Sequence, residues 1–287
     1  MKSNLSKIAK CSILMILITV SIVYNQTSTV KSSNKLKVLT FNIRYGTAND
    51  GENSWDKRKE ILFQLIMEQK ADIVGLQEAL RPQLDEIQTR FPLYAQLGVG
   101  REDGKTGGEY SAILYLKNKY DAQDTGYFWF SDKPDEPGSK TWGNNVTRIC
   151  TWALLKEKKT ENNLYFYNLH LDHESQNSRE KSIDQLLDHI KGKNHPVIIT
   201  GDFNAGENNP AILNLLSAGF TDSFRKLHPD EKEAGTYHAF KGTITGDKID
   251  FIFCSKNFRI FTAEILRNNK DGKYPSDHFP VNAVVGF

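Results

Sequence analysis

The stretch Val197-Ile198-Ile199-Thr200-Gly201-Asp202-Phe203-Asn204 places an apolar run directly before two polar side chains. A short, uninterrupted apolar run is typical of a strand whose two faces are both covered. An Asp or Asn after such a strand readily hydrogen-bonds its own backbone and forms a tight turn. On its own, therefore, the end of this stretch indicates a turn at least as strongly as a functional site.

The same arrangement recurs along the chain, because other strand-like runs also end in, or lie next to, acidic, amide or histidine residues. The polar residues in question are Asn42, Glu78, His170, Asp202, Asn204, Asp250, Asp277 and His278. In a sandwich the ends of strands gather at one edge, and functional groups are commonly carried on the loops that a rigid scaffold holds there. We therefore expect these side chains to share one cleft.

Strand-like runs alternate with amphipathic helical segments from Leu36 onward. Strands are predicted at 36–43, 71–77, 112–116, 148–155, 164–169, 196–200, 248–254 and 281–285. Helices are predicted at 54–70, with Ser54 as the capping residue, and at 81–90, 177–191 and 209–217. The pattern predicts an α+β fold, a four-layer sandwich of two mixed β-sheets with helices on the outer faces, formed by one domain over residues 34–287.

Residues 1–33 are interpreted as an export signal or an N-terminal anchor. Lys2, Lys7 and Lys10 precede an apolar run from Cys11 to Tyr24, which is shorter than the roughly 20 residues of a membrane-spanning helix. This favours removal, although the lack of an A-x-A-like cleavage site leaves an uncleaved anchor open. We expect an exported protein, secreted or periplasmic, that meets a membrane only through this segment. Cys150 and Cys254 would then be two buried thiols or one disulfide.

The composition excludes several classes of protein. The 287 residues carry 37 Lys and Arg against 35 Asp and Glu, and 39% are hydrophobic, which argues against intrinsic disorder. Three cysteines are too few for a disulfide scaffold. A dedicated nucleic-acid binder usually carries a strongly basic domain or stripe. The net charge of +2 therefore argues, though weakly, against that class.

The polar strand ends also resemble a known family. The chain is similar to the endonuclease/exonuclease/phosphatase superfamily through six segments in the same order: Thr40-Phe41-Asn42-Ile43-Arg44, Leu76-Gln77-Glu78, Asn168-Leu169-His170, Thr200-Gly201-Asp202-Phe203-Asn204, Lys248-Ile249-Asp250-Phe251-Ile252 and Ser276-Asp277-His278-Phe279-Pro280. Residues 98–152, with Gly108-Glu109-Tyr110, resemble a bacterial branch of predicted metal-dependent hydrolases. The resemblance implies a DNase I-like fold and the hydrolysis of phosphate esters.

The resemblance further implies a divalent cofactor, Mg²⁺ or else Mn²⁺. Mg²⁺ prefers oxygen ligands and keeps several of its waters, so one or two carboxylates suffice to hold it. By resemblance Glu78 is the main ligand, and Asn42 adds an amide oxygen or orients a metal-bound water. Asp250 either binds the metal or positions His170, and Asp277 is a further candidate ligand.

The catalytic roles also follow from the resemblance. Asp202 would polarise or deprotonate the attacking water, and Asn204 would fix that water or donate to a phosphoryl oxygen. His278, oriented by Asp277, would stabilise the transition state as a cation or act as the base. His170 would bind a phosphoryl oxygen or protonate the leaving group, and Glu109 is expected to pair with it.

Several residues are candidates for substrate contacts. Arg148 matches a phosphate-contacting arginine, although a solvated arginine at the start of a strand would look the same. Arg44 stands where the abasic-site endonucleases have an Asp, which argues against an abasic-site endonuclease activity. Asp172 and His173 are expected to line the substrate side, because zinc binding would need a Cys or third His nearby. An aromatic group either forms a wall of the pocket or packs on the sheet edge: Phe128, Trp129, Phe130 and Trp142.

The leading hypothesis is an exported Mg²⁺-dependent phosphoesterase that acts on a small phosphorylated substrate, such as a sugar or inositol phosphate. The alternatives are a secreted deoxyribonuclease-like endonuclease and a non-catalytic binding module. Binding along a nucleic acid needs a basic track, whereas basic residues such as Lys133 and Lys158 alternate here with acidic ones such as Asp135 and Glu157. We expect a monomer without a stable protein partner.

Overall fold

The centre of the protein consists of two six-stranded β-sheets, seen in a computed structural model that describes residues 35–287. The strands are β1 (Leu36–Asn42), β2 (Ile73–Ala79), β3 (Tyr94–Leu97), β4 (Tyr110–Leu116), β5 (Tyr120–Trp129), β6 (Ile149–Glu157), β7 (Asn163–His170), β8 (Val197–Asp202), β9 (Thr221–Asp222), β10 (Asp250–Cys254), β11 (Arg259–Ile265) and β12 (Val281–Gly286). The helices are α1 (Trp55–Gln69), α2 (Arg81–Arg90), α3 (Gln176–Ile190), α4 (Pro210–Ser217) and α5 (Ser223–Leu227).

Three buried clusters fill the spaces between the layers. Val38 of the first sheet and Phe166 of the second belong to one cluster, which lies between the two sheets. A second cluster joins the outer face of the first sheet to α1 and α2, and a third joins the outer face of the second sheet to α3 and α4. The predicted four-layer α+β sandwich is therefore confirmed.

Strand order explains why functional side chains meet at one edge. The sheets run β11-β12-β1-β2-β4-β3 and β5-β6-β7-β8-β10-β9. The central pairs β1/β2 and β7/β8 are parallel, with Asn42 opposite Gln77 and His170 opposite Asp202 at their carboxyl ends. Parallel neighbours need a crossover connection, which α1 and α3 supply. Each sheet thus presents two strand ends and the residues that follow them at the same edge.

Every predicted strand and helix is present, but five elements were missed. Strands β3 and β9 have only four and two residues. Strands β5 and β11 each lie at the edge of a sheet with a single partner, and both carry several exposed residues. An edge strand tolerates charged residues where a central strand does not. Strand β5 contains Asp121, Asp124 and Gly126, so its sequence does not show the apolar run by which the other strands were predicted. Helix α5 has five residues, too few to show a period. Ser54 occupies the predicted cap position, but its side chain makes no capping hydrogen bond.

Two other predictions have different outcomes. Cys150 and Cys254 are both free and buried, so they are two thiols and not a disulfide. The predicted export signal or anchor at 1–33 lies outside the described residues and stays a prediction. No helix within residues 35–287 has the length and apolar character that a membrane span requires.

A β-bulge in β2 is held by an amide from the opposite sheet. The β2/β4 register breaks between Leu76 and Ala79, and within this break Glu78 adopts a positive φ of 60°. The Asn168 amide nitrogen in β7 donates to the carbonyl oxygens of Leu76 at 2.9 Å and Ala112 at 2.8 Å. Both carbonyls belong to strands of the other sheet, so this one side chain ties the two sheets together beside the bulge.

The other end of the same amide is equally engaged. The Asn168 Oδ1 atom accepts from the Gln77 amide at 2.6 Å and from the Thr200 hydroxyl at 3.0 Å. Gly75 leaves the space for this contact, because a Cβ atom there would lie 2.4 Å from the Thr200 Oγ1 atom and 2.5 Å from Asn168 Oδ1. The polar network is fully buried, and it fixes the distance between the sheets near their functional edge.

We predict that Asn168→Asp lowers the free energy of unfolding by about 3 kcal/mol, because a buried carboxylate would replace the amide group that donates to two buried carbonyl oxygens. Urea unfolding measures the change. The matched control is Asn194→Asp, since Asn194 is exposed. Equal midpoints for the two variants would contradict the structural role given to Asn168.

Candidate active site

A cleft of about 470 Å³ lies at the edge where the central strands end. Strand ends and the loops that follow them supply about half of its lining, and the remainder comes from the segments before β4, β6, β10 and β12. The lining residues are Arg44, Tyr45, Glu78, Arg101, Glu109, Val146, Arg148, His170, His173, Asp202, Asn204, Tyr237, Ile249, Asp277 and His278. Asn42 and Asp250 are buried directly behind this lining and bond to it.

Asn42 connects groups from three directions. Its amide nitrogen donates to Glu78 Oε1 at 3.0 Å and to Asp202 Oδ2 at 2.8 Å, and it lies 3.5 Å from His278 Nε2. Its Oδ1 atom accepts from the backbone N–H of Arg44 at 3.0 Å. Asn42 therefore holds the two carboxylates at a fixed separation, which the sequence did not predict, and its amide oxygen is already engaged by the backbone.

Buried Arg58 of α1 holds the loops that flank this group. Its guanidinium donates to the carbonyl oxygens of Ile43 at 2.7 Å, Pro275 at 2.8 Å and Arg44 at 2.8 Å. Pro275 lies two residues before Asp277, so one side chain from a helix fixes both the loop after β1 and the loop before His278. Burial lowers the pKa of Arg58 to about 10, so it stays charged at neutral pH.

Glu78 and Asp277 form the carboxylate side of the cleft. Arg44 lies between them, with its guanidinium 4.0 Å from Glu78 and 3.8 Å from Asp277, while its main partner is Asp50 at 3.0 Å. Burial raises the pKa of Asp277, and repulsion from Glu78 adds to this. Two carboxylates that repel each other across a small gap are favourable ligands for a divalent cation.

The donor set fits such a cation. In the described residues Glu78, Glu109 and His170 place ligand atoms within 4.8 Å of one another, as do Asp202, Asp250 and His278. In the second group His278 bonds Asp250 and Asp202 bonds Asn42, although the buried Asp250 Oδ1 atom has no partner among residues 35–287. Glu78 accepts from Asn42 and from the Tyr45 N–H, and Asp277 accepts from Ser276, so both carboxylates are oriented at the cleft. Oxygen ligands of this kind suit Mg²⁺ or Mn²⁺ better than zinc. Glu78, with Asp277, would hold the ion and bring its charge to the phosphoryl oxygens.

Asp202 has the environment of a general base. It is buried at the end of β8, and burial together with the nearby Asp250 carboxylate raises its pKa to about 7. Its Oδ1 atom accepts from the backbone N–H of Asn204 at 2.9 Å, which turns the chain back toward the cleft. A base that titrates near neutral pH is well matched to removing a proton from water.

His278 is oriented by Asp250, and the prediction that Asp277 orients it was wrong. The Nδ1 atom of His278 lies 2.9 Å from Asp250 Oδ2, whereas Asp277 turns away and accepts from the Ser276 hydroxyl at 3.2 Å. Asp250 likewise contacts His278, not His170 as was considered. The cause is register, because Asp250 starts β10 directly opposite Asp202 and so faces the cleft edge. Burial opposes the charged imidazole, but Asp250 and Asp202 outweigh it and raise the pKa of His278 well above its ordinary value.

His170 lies between an amide and an acid. Its Nε2 atom is 3.0 Å from the Asn204 amide nitrogen, which also donates to the Leu171 carbonyl, and its buried Nδ1 atom has no hydrogen-bond partner. The predicted partner Glu109 lies beside His170, but its carboxylate is 3.9 Å from Nδ1, which is too far for a hydrogen bond. Burial and the charge of Arg148 lower the pKa of His170 well below its ordinary value. The imidazole is therefore neutral.

Some predicted substrate residues reach the cleft and others do not. Arg148 is buried at the cleft wall and contacts His173 at 2.8 Å, so it is not a solvated arginine. Asp172 lies behind these two and caps the turn before α3. The structure does not bring the aromatic group to the cleft lining. Trp142 bonds Asp132, Phe128 and Phe130 pack in the interior beside α3, and the buried Trp129 donates its indole N–H to the Arg101 carbonyl oxygen at 2.6 Å.

Sequence reasoning missed five lining residues, of which Val146 and Ile249 are apolar and three can make polar or aromatic contacts. Tyr237 is half exposed and packs its ring against His278 with centroids 5.1 Å apart. Arg101 is paired with Glu109, and Tyr45 donates its backbone N–H to Glu78 at 3.2 Å. Tyr45 directly follows a recognised segment, which was an available signal. Arg101 and Tyr237 lie in loops that carry no strand-end pattern.

The fold and the cleft define the class of protein. The described sandwich gathers buried carboxylates, a histidine paired with Asp250 and oxygen groups that could bind a metal in one cleft, and a family model described as "Endonuclease/Exonuclease/phosphatase family" matches residues 39–278. The chain belongs to this family of phosphoesterases, whose members act on small phosphorylated compounds or nucleic acids and typically depend on a divalent metal.

Individual relatives refine this picture. A family protein from Bacteroides thetaiotaomicron is 33% identical, with a TM-score of 0.83 over 89% of this chain and 98% of that one. A mannosyl-6-phosphatase from the same organism is 34% identical, with a TM-score of 0.80 over 88% of this chain and 100% of that one. An exodeoxyribonuclease of Streptococcus pneumoniae is 32% identical over 114 residues, which are 31% of this chain and 41% of that protein.

We predict that Asp202→Asn lowers kcat by at least about 100-fold, because the general base is lost. In the wild type kcat should rise with pH through about 7, since the pKa of Asp202 is raised to that value and the ionised form accumulates above it. Steady-state rates from pH 5 to 9 measure both effects. Asp188→Asn on the exposed face of α3 is the control, and a residual rising limb in Asp202→Asn would contradict the assignment.

We predict that Asp250→Asn moves the falling limb of the pH profile to lower pH. Asp250 raises the pKa of His278, so its loss lets the imidazole deprotonate earlier and activity at pH 8 to 9 falls more than activity at pH 6. Asp277→Asn should lower the rate and move that limb less than Asp250→Asn does, because Asp277 makes the smaller contribution to the raised pKa of His278. If the falling limb moved in the Asp277 variant alone, Asp277 and not Asp250 would be the carboxylate that orients His278.

Proposed function

We propose that this chain is an exported, Mg²⁺-dependent phosphomonoesterase that releases phosphate from a phosphorylated sugar. The observation that carries the proposal is the cleft, in which the hydrolytic groups line a space of about 470 Å³ that suits a single sugar phosphate. The mannosyl-6-phosphatase, which this chain covers completely at 34% identity, supports the choice of a sugar. Export rests on the sequence of residues 1–33 alone.

The reaction divides among the side chains as follows. Asp202 takes a proton from the attacking water, which Asn42 and Asn204 keep close to it. His278, positively charged through its pairing with Asp250, donates to a phosphoryl oxygen as negative charge develops there. His170 and Asn204 contact a second phosphoryl oxygen, and the sugar oxygen takes a proton from water as its bond to phosphorus breaks. When bound at Glu78 and Asp277, Mg²⁺ supplies the remaining charge neutralisation.

A deoxyribonuclease-like activity is the second candidate. The local similarity to the streptococcal exodeoxyribonuclease favours it. The charge around the cleft argues against a nuclease, because each arginine at the cleft is paired with a carboxylate. The pairs are Arg44 with Asp50, Arg101 with Glu109, and Arg148 with Asp172. A duplex contact would need several uncompensated cations along the phosphates. We therefore place the nuclease second, and a binding module without catalysis third, since every catalytic group is present.

We predict that the purified chain with Mg²⁺ hydrolyses mannose 6-phosphate and p-nitrophenyl phosphate, and that bis-p-nitrophenyl phosphate and plasmid DNA are cleaved at least about 100-fold more slowly. Phosphate release and gel electrophoresis measure the two kinds of product. Addition of EDTA should abolish release, and Mn²⁺ should restore it. Cleavage of plasmid DNA without release from either monoester would instead favour the nuclease.

A further inference from the structure

One side of the cleft carries charged groups for which the proposed reaction has no direct use. We call Arg101, Glu109, Arg148 and His173 the paired wall. They come from four separate places: the loop after β3, the residue before β4, the residue before β6 and the loop after β7. All four line the cleft.

The charges of the paired wall cancel. Arg101 contacts Glu109 through both terminal nitrogens, at 2.7 and 2.8 Å, which is a bidentate pair. The Nε atom of Arg148 lies 3.7 Å from the buried Asp172 carboxylate. Two guanidinium groups thus face two carboxylates, so no positive charge is left over for a second phosphate or a carboxylate on the substrate.

The wall nevertheless offers hydrogen-bond donors. Each guanidinium carries five N–H donors, which is more than Glu109, Asp172 and His173 accept, although the unpartnered Nε–H groups of Arg101 and Arg148 are themselves buried. A guanidinium only donates hydrogen bonds, so the His173 Nδ1 atom, 2.8 Å from Arg148, must accept. His173 is therefore neutral with its proton on Nε2. That N–H lies on a half-exposed ring at the cleft, 3.5 Å from the exposed Glu174 carboxylate, and is a further donor that a substrate hydroxyl can share with Glu174.

Neutral charge with closely spaced donors and acceptors matches hydroxyl groups, because each hydroxyl both donates and accepts. We propose that the paired wall binds the hydroxyl groups of an uncharged sugar ring whose phosphate is hydrolysed at Asp202. The inference rests on the proposed function and names the part of the substrate that this site selects. A sugar bisphosphate or a nucleotide chain would place a second anion against a wall without spare positive charge.

The test measures KM and kcat separately for His173→Ala with mannose 6-phosphate and p-nitrophenyl phosphate. We expect KM for mannose 6-phosphate to rise about fivefold, the effect of one neutral hydrogen bond of about 1 kcal/mol, while kcat changes less than about twofold. Both constants for p-nitrophenyl phosphate should stay unchanged, because that substrate has no sugar hydroxyls. His173→Gln, which keeps a donor near the position of Nε2, should restore most of the KM.

The controls separate the possible failures. His195→Ala, a partly exposed histidine outside the cleft, should leave all constants unchanged. An equal rise in KM for p-nitrophenyl phosphate, no change for either substrate, or a preference for fructose 1,6-bisphosphate would overturn the hydroxyl subsite while the phosphomonoesterase stands. Failure of the wild type to hydrolyse any monoester would overturn both proposals.

Discussion

The position of the catalytic groups depends on the hydrogen bonds that Asn168 makes between the two sheets. Each of the two hydrogen bonds to carbonyl oxygens beside the β2 bulge is buried and contributes about 0.5–1.5 kcal/mol. The bulge in turn gives Glu78 its positive φ and points it toward Asn42. Gly75 leaves the space that the Asn168 side chain occupies, because any side chain at position 75 would push Asn168 away. The metal-binding side of the cleft is thus set by contacts in the core between the sheets.

The other half of the cleft is organised by charge. Asp202 and Asp250 face each other across β8 and β10, and two buried carboxylates this close are unfavourable unless a cation or a proton separates them. His278 provides that cation, which is why its pKa is raised, whereas burial and the charge of Arg148 lower the pKa of His170. Two histidines in one cleft thereby acquire different charges from their surroundings. One stabilises negative charge, and the other offers a neutral ring to the phosphate.

The sequence predicted the sandwich and most of the residues in the cleft because both leave local signals. Buried strands read as apolar runs, and the polar residues at their ends stand out against them. Edge strand β5 left no such signal, because its exposed positions carry Asp121 and Asp124. The sequence pattern also could not predict which carboxylate in the cleft contacts which histidine. Asp277 is adjacent to His278 in the chain, yet Asp250 holds the imidazole, since strand register and not proximity in sequence decides which carboxylate reaches it.

The register of β10 also determines where this fold can change during evolution. Side chains alternate between faces along a strand, so an insertion or deletion of one residue within β10 would turn Asp250 away from His278 and present an aromatic neighbour instead. The long segments 98–109, 130–148 and 229–247 are not bound by any ladder of this kind. They carry Arg101, Arg148 and Tyr237 to the cleft. Changes in their length would alter which alcohol is accepted while the hydrolytic groups stay in place, so one scaffold could serve many phosphate esters.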